Sequence, residues 1–290
     1  DYLTKYNLTL AQMDGTVDLV GTATDWLDAW PNSKHGAFLE LSEDMLKTYA
    51  PQTYASVPAD HWEMCKYEGN IYLIPENNYA QWINHGFMYR MDWAREAGLT
   101  NGVHSWEDLT KYFAAVKKNH PDVIPWNAQA DQSLVTQLSA GYIYSKSDFI
   151  IIDGLEVPLF GADNDNLYTV RSPFYQGREL VDFAKLMKQW DSMGVWKTDV
   201  LNNTSENREE LYLGQVSADQ HHTQTWYTTV RPTMDEKQPG SDVEFFFFGE
   251  ESDNLVAMSI THGAMAVSAG SRNPERALMV FDLLRNDPEC

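Results

Sequence analysis

The stretch Gly69-Asn70-Ile71-Tyr72-Leu73-Ile74-Pro75 is a glycine turn that leads into an apolar strand ended by proline. An aromatic strand follows in Asn84-His85-Gly86-Phe87-Met88-Tyr89-Arg90-Met91-Asp92. A helix then opens at Ser105-Trp106-Glu107-Asp108-Leu109, where Ser105 and Asp108 have nearly the spacing of a capping box. Strands that alternate with helices in this way predict an α/β protein with mainly parallel sheets.

Length and composition place the chain among soluble globular proteins. Its 290 residues are 43% hydrophobic and 22% charged, which is enough to bury a large core in one or two domains. The longest apolar stretches, residues 245–248 and 149–152, are the size of single strands. We therefore expect no segment that spans a membrane.

The charge balance argues against one class of partner. With 42 acidic and 21 basic residues, the net charge is −21, so nucleic-acid phosphates would be repelled. We predict no nucleic-acid partner, and the ordinary explanation of such acidity is solubility.

The cysteines and histidines predict no metal site, no catalytic residue and no cofactor. Cys65 is expected on a helix facing the core, where a thiol behaves as a small hydrophobe, and Cys290 is the last residue. Among eight histidines only His221 and His222 are adjacent, and a strand would point them to opposite sides. No spacing typical of zinc ligands or of a redox pair is present.

The ordered series of turn, strands and capped helix resembles the middle of the extracellular solute-binding proteins of carbohydrate ABC importers, the maltose-binding-like class. Their pattern reads roughly G-k-x-Y-a-x-P, l-x-Y-N-k-d, a-G-l and T-W-e-e-l. Lipoprotein-type members of Gram-positive bacteria add a run that matches Trp26-Leu27, Gly36-Ala37-Phe38-Leu39-Glu40-Leu41, Tyr49-Ala50-Pro51 and Trp62. The resemblance covers residues 17–127 well and 172–285 more loosely.

This resemblance implies a periplasmic-binding-protein-like fold of two lobes joined by a hinge, each lobe a mainly parallel sheet flanked by helices. The first lobe would comprise residues 1–76 and 255–290, and the second residues 81–249. Crossovers are expected near 77–80 and 250–254. Relatives usually extend further at both ends, so we expect the chain to be a fragment.

Candidate ligand-binding residues in the first lobe follow its first strand, and others lie at the hinge. Asp25 falls where relatives often place a carboxylate that bonds ligand, and Trp26 can stack on the apolar face of a sugar ring. The hinge stretch combines amides with aromatic walls, as binding sites do, in Asn77, Asn78, Tyr79 and Trp82. The alternatives are lobe packing for Trp26 and a solvated turn for the hinge stretch.

The remaining candidates lie at predicted strand ends of the second lobe and at the return to the first. Trp126, Asn127 and Gln129 end a strand that faces ligand in the family. His221 and Trp226 lie in the segment that matches the family pattern G-k-a-A-M-x-x-x-g-x-W, with Trp226 the stacking candidate. His262 lies where the chain returns and could equally be a polar surface histidine.

The function implied is the substrate-binding component of an ABC-type sugar importer, which captures an oligosaccharide between its lobes and delivers it to the membrane permease. Such a protein is a monomer on the extracellular face of the cytoplasmic membrane, with a signal and lipid anchor outside this chain.

Two alternatives stay open. A binding protein for a peptide or polyamine would keep the fold and replace the aromatic walls with charged anchors. A glycan-active hydrolase would need a carboxylate pair flanking the sugar, and 42 acidic residues make such a pair uninformative by count. No Gly-x-Ser-x-Gly, phosphate loop or dinucleotide motif is present, so we predict no enzyme.

Overall fold

The computed structural model divides the chain into two compact units. It describes residues 2–24, 26, 28–76, 85–128, 138–147, 149–151, 160–163, 165–166, 168–204, 207–253, 261 and 263–289. The first unit comprises Asp1–Ala80 and Ser259–Cys290, and the second comprises Gln81–Met258. The chain therefore crosses from one unit to the other twice.

The first unit is a small sheet covered by short helices. Strand β11 lies between β1 and β4 and pairs antiparallel with both, while β2 and β3 form a separate hairpin. The elements in chain order are α1 (Tyr2–Gln12), β1 (Leu19–Thr22), α2 (Ala29–Lys34), α3 (Glu43–Tyr49), α4 (Pro51–Ser56), α5 (Ala59–Met64), β2 (Lys66–Tyr67), β3 (Asn70–Ile71), β4 (Leu73–Pro75), β11 (Ala264–Val267) and α13 (Pro274–Asn286).

Alternating side chains of the central sheet bury two clusters, one on each face. Leu73 and Ala266 contribute to the first cluster, whereas Ile74 and Val267 contribute to the second. The last helix is tied to α4 by a buried carboxylate: Asp282 accepts the backbone N–H of Thr53 at 2.6 Å. A carboxylate at a helix N-terminus satisfies donors that lack a partner within the helix.

The second unit contains a larger, helix-rich core around β5. Strand β5 lies between β10 and β9 and pairs antiparallel with both, and β6, β7 and β8 form a peripheral sheet. The elements are β5 (Gly86–Arg90), α6 (Met91–Glu96), α7 (Trp106–Asn119), α8 (Leu138–Lys146), β6 (Phe149–Ile151), β7 (Gly161–Asp163), β8 (Val170–Arg171), α9 (Glu179–Met193), α10 (Asn207–Tyr212), β9 (Ala218–His221), α11 (Thr223–Thr225), α12 (Arg231–Lys237) and β10 (Val243–Phe247), with 3₁₀ turns at Val200–Asn202 and Glu250–Ser252 and a π-helical turn at Trp226–Val230.

All five residues of β5 are buried, and they face two different clusters. Phe87 and Tyr89 point into an aromatic cluster, and Met88 points into a second cluster on the other side of the sheet. The ring of Phe87 meets Trp126 edge to face with the ring centroids 4.9 Å apart. At Gly86 a Cβ atom would lie 2.0 Å from the Phe246 carbonyl oxygen, so only glycine fits this close approach.

The two crossings leave each unit from neighbouring strands. In the first unit β4 ends beside the start of β11, and the Glu76 N–H donates to the Gly263 carbonyl oxygen at 2.8 Å. In the second unit β5 starts beside the end of β10, and the Phe248 N–H donates to the His85 carbonyl oxygen at 2.9 Å. In each unit, backbone pairing thus joins the two strands that lead to the crossings.

The prediction of mainly parallel sheets is wrong for the strands that the structure describes. Every pairing between those named strands is antiparallel, and parallel pairing is seen in the isolated bridge of Ile124 with Val216. In the first unit the reason is the crossing, because β11 returns beside β4, the strand from which the chain left. A pattern of alternating strands and helices does not report this return.

The helix cap predicted from the sequence is present in the structure. The helix after Ser105 is confirmed, with the Ser105 hydroxyl accepting the Asp108 N–H at 3.0 Å. Gly194 ends α9 in the left-handed region at φ 70°. No helix among the described residues has the length and apolarity needed to cross a membrane.

Two helix boundaries follow from local contacts, and one crossover differs from its prediction. Helix α5 ends at Met64, because Lys66 and Tyr67 pair with the next strand. Helix α9 begins at Glu179 and not nearer Ser172, because the Ser172 hydroxyl accepts the backbone N–H groups of Phe174 and Tyr175 in a turn. The second unit extends to Met258, beyond the expected crossover at 250–254, and Glu250 and Glu251 bond to His104 and Lys146 within that unit.

Removing the Phe87 ring is expected to destabilise the second unit. Phe87→Ala should cost about 3–5 kcal/mol, because a large buried ring leaves a cavity among its neighbours. Urea unfolding followed by circular dichroism measures the loss. Tyr168→Ala, at a side chain that is 97% exposed, is the control and should change stability by less than about 0.5 kcal/mol. Equal losses in the two variants would contradict this account of the core.

The cap at Ser105 gives a second stability test. Ser105→Ala should lower the free energy of unfolding by about 1 kcal/mol, because the Asp108 N–H loses its acceptor. Ser105→Asn restores a side-chain oxygen and should recover most of that loss, as thermal unfolding of the two variants will show. A deficit that persists in Ser105→Asn would mean that packing, not capping, sets the effect.

Candidate functional site

In the first unit, polar groups gather where β1 and β4 end and β11 begins. The hydroxyls of Thr24 and Thr261 lie 2.6 Å apart, and the Thr24 hydroxyl also contacts the Thr261 carbonyl oxygen at 3.1 Å. Gly263 lies against the side chain of Glu76, since a Cβ atom there would come within 2.2 Å of Glu76 Oε2. Hydroxyl and carboxylate groups therefore lie side by side at these strand ends.

Trp26 lies beside these strand ends, directly after β1. Its indole is half-buried and meets Tyr6 edge to face at 6.1 Å, and the Tyr6 hydroxyl donates to Thr22 Oγ1 at 3.2 Å. Trp30 is held differently, with its indole N–H on the Thr24 carbonyl oxygen at 2.9 Å and its ring stacked on Tyr67. Both indoles are half-buried against the first core cluster, and Trp30 is also held by a hydrogen bond of its indole N–H.

In the second unit, three histidines meet where β9 and β10 end and β5 begins. The rings of His221 and His222 are 4.0 Å apart, and His85 lies 5.7 Å from His221 and 5.6 Å from His222. The antiparallel pairing of Gly86 with His221 explains why the rings meet. His85 lies just before β5 and His222 just after β9, so both lie next to this pair. The expectation that His221 and His222 face opposite sides fails because β9 ends at His221.

Hydrogen bonds to this histidine cluster fix how each ring is presented. Thr225 Oγ1 lies 2.9 Å from Nδ1 of His221, and the Thr225 N–H donates to Nδ1 of His222 at 3.4 Å. Nε2 of Gln220 lies 3.1 Å from Nδ1 of His85. Gln220 and His222 are buried, whereas His85 and His221 are half-buried, so the cluster reaches solvent through the latter two.

His221 stays neutral at physiological pH. Burial lowers the pKa of His221 to about 3, and the neighbouring His222, Arg208 and His85 act in the same direction. Arg208 is itself held by Asp219, whose carboxylate accepts its Nε at 2.8 Å. An uncharged imidazole can donate one hydrogen bond and accept another, which suits contact with an uncharged ligand.

The structure places the other second-unit candidates in packing roles. Trp126 is 1% exposed and packs in the aromatic core against Phe87. Asn127 is buried and bonds to Glu210 at 2.5 Å. Trp226 is half-buried, and its indole N–H donates to the Val243 carbonyl oxygen at 3.0 Å.

Trp226 also has close neighbours at its ring, with Phe245 at 5.8 Å and the Arg231 guanidinium at 5.2 Å. It opens the π-helical turn, an irregularity that often accompanies functional sites. Seven other candidates lie outside the described residues: Asp25, Asn77, Asn78, Tyr79, Trp82, Gln129 and His262.

Sequence reasoning singled out His221 but missed His85, Gln220 and Thr225. The run 220–226 was visible as polar and aromatic, yet its partner His85 is 136 positions earlier in the chain than His221, by subtraction of their numbers. Only the register of β5 against β9 brings them together. Among the described residues, no group of three or more histidine, cysteine or acidic side chains has a geometry that could hold a metal ion.

Comparison with known proteins assigns the fold. Residues 1–288 match the family described as bacterial extracellular solute-binding protein. No curated protein matches the sequence.

The N-glycan transport solute-binding protein NgtS of Streptococcus pneumoniae is 16% identical with a TM-score of 0.68, covering 100% of this chain and 58% of that protein. The alginate-binding protein AlgQ2 is 20% identical with a TM-score of 0.71, covering 99% and 59%. A chitin oligosaccharide binding protein is 16% identical with a TM-score of 0.59, covering 97% and 64%.

The chain thus spans less than two thirds of the length of these solved structures. At such low identity the likeness concerns the fold, and it confirms the predicted periplasmic-binding-protein-like class. With the family match extending over residues 1–288, the chain belongs to the bacterial extracellular solute-binding proteins.

Proposed function

We propose that this protein is the substrate-binding component of an ABC-type sugar importer. The observation that carries the proposal is the match of residues 1–288 to the solute-binding family. In this proposal the protein captures an oligosaccharide and delivers it to the permease subunits in the membrane.

Sugar as the ligand class is supported by what similar structures contain. NgtS was solved in complex with Man1GlcNAc, and a solute-binding protein of Agrobacterium vitis was solved with D-mannitol. In this chain the residues at the strand ends offer groups that suit a sugar. They are an aromatic ring at Trp26 and hydroxyl, amide and imidazole groups at Thr24, Gln220 and His221. Ring stacking with directional hydrogen bonds is the usual way to bind a sugar.

The rest of the proposal follows the family. The protein acts as a monomer on the extracellular face of the cytoplasmic membrane, held there by a lipid anchor. We propose that the unassigned candidates Asp25, Asn77, Asn78, Tyr79, Trp82, Gln129 and His262 line the same ligand site.

Isothermal titration with a panel of mono- and oligosaccharides, paired with chromatography of each mixture, tests the function. We expect saturable heat with one glycan class and an unchanged sugar after incubation. Product formation would instead identify a glycan-active hydrolase. Heat with a peptide or polyamine, and none with sugars, would identify a binding protein for a non-sugar solute.

Trp26 supplies the sharpest variant for this assay. Trp26→Leu removes the ring that would stack on the sugar, and we expect affinity to fall about tenfold, the equivalent of about 1.4 kcal/mol. Trp93→Leu is the matched control, because Trp93 is also half-buried but stacks on His120 at 4.2 Å, away from the candidate strand ends. Equal affinity in the Trp26 variant and the unmodified protein would remove Trp26 from the site.

A further inference from the structure

One buried polar atom in the histidine cluster lacks a partner. Gln220 is 5% exposed, and its Oε1 accepts no hydrogen bond while its Nε2 contacts His85. Turning the amide over would pair Oε1 and leave the nitrogen unpaired instead. A buried polar atom without a partner costs free energy in either orientation, so it indicates a group that binds there.

A hydroxyl group suits this position better than a carboxylate does. A hydroxyl donates and accepts, so it satisfies Gln220 in both amide orientations, whereas a carboxylate only accepts. The neighbouring His221 is held by Thr225, whose Oγ1 lies 2.9 Å from His221 Nδ1 and 3.3 Å from His222 Nδ1. Gln220 and the half-buried His221 ring both contact His85, so the amide and an imidazole belong to one cluster.

The charges around the cluster disfavour an acidic ligand. Arg208 is a nearby cation, and its charge is matched by the buried carboxylate of Asp219. The second oxygen of Asp219 accepts from Asn207 at 2.9 Å, so the carboxylate is fixed in place. An anionic sugar would find a neutral imidazole and no unmatched cation among the described residues of the cluster, in a protein of net charge −21.

We propose that Gln220 and His221, positioned by Thr225 and His85, form a subsite that binds the hydroxyl groups of a neutral sugar residue and selects against uronic acid residues. This inference rests on the proposed function, since it names the class of sugar that one part of the site takes. Gln220 and His221 contact the sugar, and Thr225 is a positioning residue that acts through His221.

Titration calorimetry of the full chain with two sets of probes tests the subsite. The neutral set is mannotriose, chitotriose, maltotriose and D-mannitol, and the acidic set is trimannuronate and triguluronate. We expect binding to a neutral probe, with His221→Phe and Gln220→Met each weakening it about tenfold, the loss of one buried hydrogen bond. His35→Phe and Gln189→Met, at exposed positions, are matched controls and should bind as the unmodified protein does.

The outcomes separate this inference from the proposed function. Neutral-sugar binding that survives both His221→Phe and Gln220→Met overturns the subsite and leaves the importer function standing. Tighter binding of an acidic probe than of any neutral one overturns the selectivity. An absence of binding to every probe overturns the subsite and the sugar-binding function together. Circular dichroism of each variant confirms folding, and the half-buried His221 tolerates the change to phenylalanine better than the buried Gln220 tolerates methionine.

Nitrogen NMR of the histidine rings gives a readout that a merely structural role would not change. We expect His221 in its neutral form, with its Nε2 signal shifted by the neutral sugar. Thr225→Val removes the hydroxyl at His221 Nδ1 and should change the tautomer ratio of the ring and weaken binding, whereas Thr229→Val, at an exposed threonine, should do neither. A sugar that binds without moving a His221 nitrogen signal would exclude direct contact.

Discussion

Antiparallel pairing of the strands that flank the two crossings is the constraint on which the rest of this structure depends. β4 pairs with β11 in the first unit and β5 with β10 in the second, so the chain leaves and re-enters each unit through adjacent strands. The first strand after each crossing becomes the middle strand of its sheet. The first unit therefore cannot complete its sheet until the second crossing delivers β11, whereas the second unit is one continuous segment that contains all three of its central strands.

The same pairing explains where the polar groups collect. In each unit the crossings begin and end at one end of the sheet, and polar side chains are found at that end. The first unit places Thr24 and Thr261 there, and the second places His85 and His221. Buried apolar residues begin immediately behind them, at Phe87 and at Ala264, which gives the polar end a rigid support.

Local signals in the sequence were sufficient for some elements and insufficient for the site. Ser105 and Gly194 act within a few residues, so their roles as caps could be predicted from neighbours alone. The direction of β11 and the meeting of His85 with His221 depend on pairing between distant segments, which a single sequence does not encode visibly. Trp126 shows a second limit of sequence reasoning. A tryptophan at a strand end can line a ligand site or pack in a core, and the structure shows Trp126 buried in the core.

The packing of predicted stacking residues in the core affects what each unit can contribute to sugar binding. Trp126 packs inside the second unit and offers no free ring face, and the half-buried Trp226 has the Arg231 guanidinium over its ring. Trp26 in the first unit is half-buried and meets Tyr6 edge to face. In our proposal the first unit therefore supplies stacking, which any pyranose satisfies, and the second supplies directional bonds from Gln220 and His221. Specificity would then lie mainly in the second unit, because an unmatched buried hydrogen-bonding group discriminates between ligands more sharply than an apolar surface does.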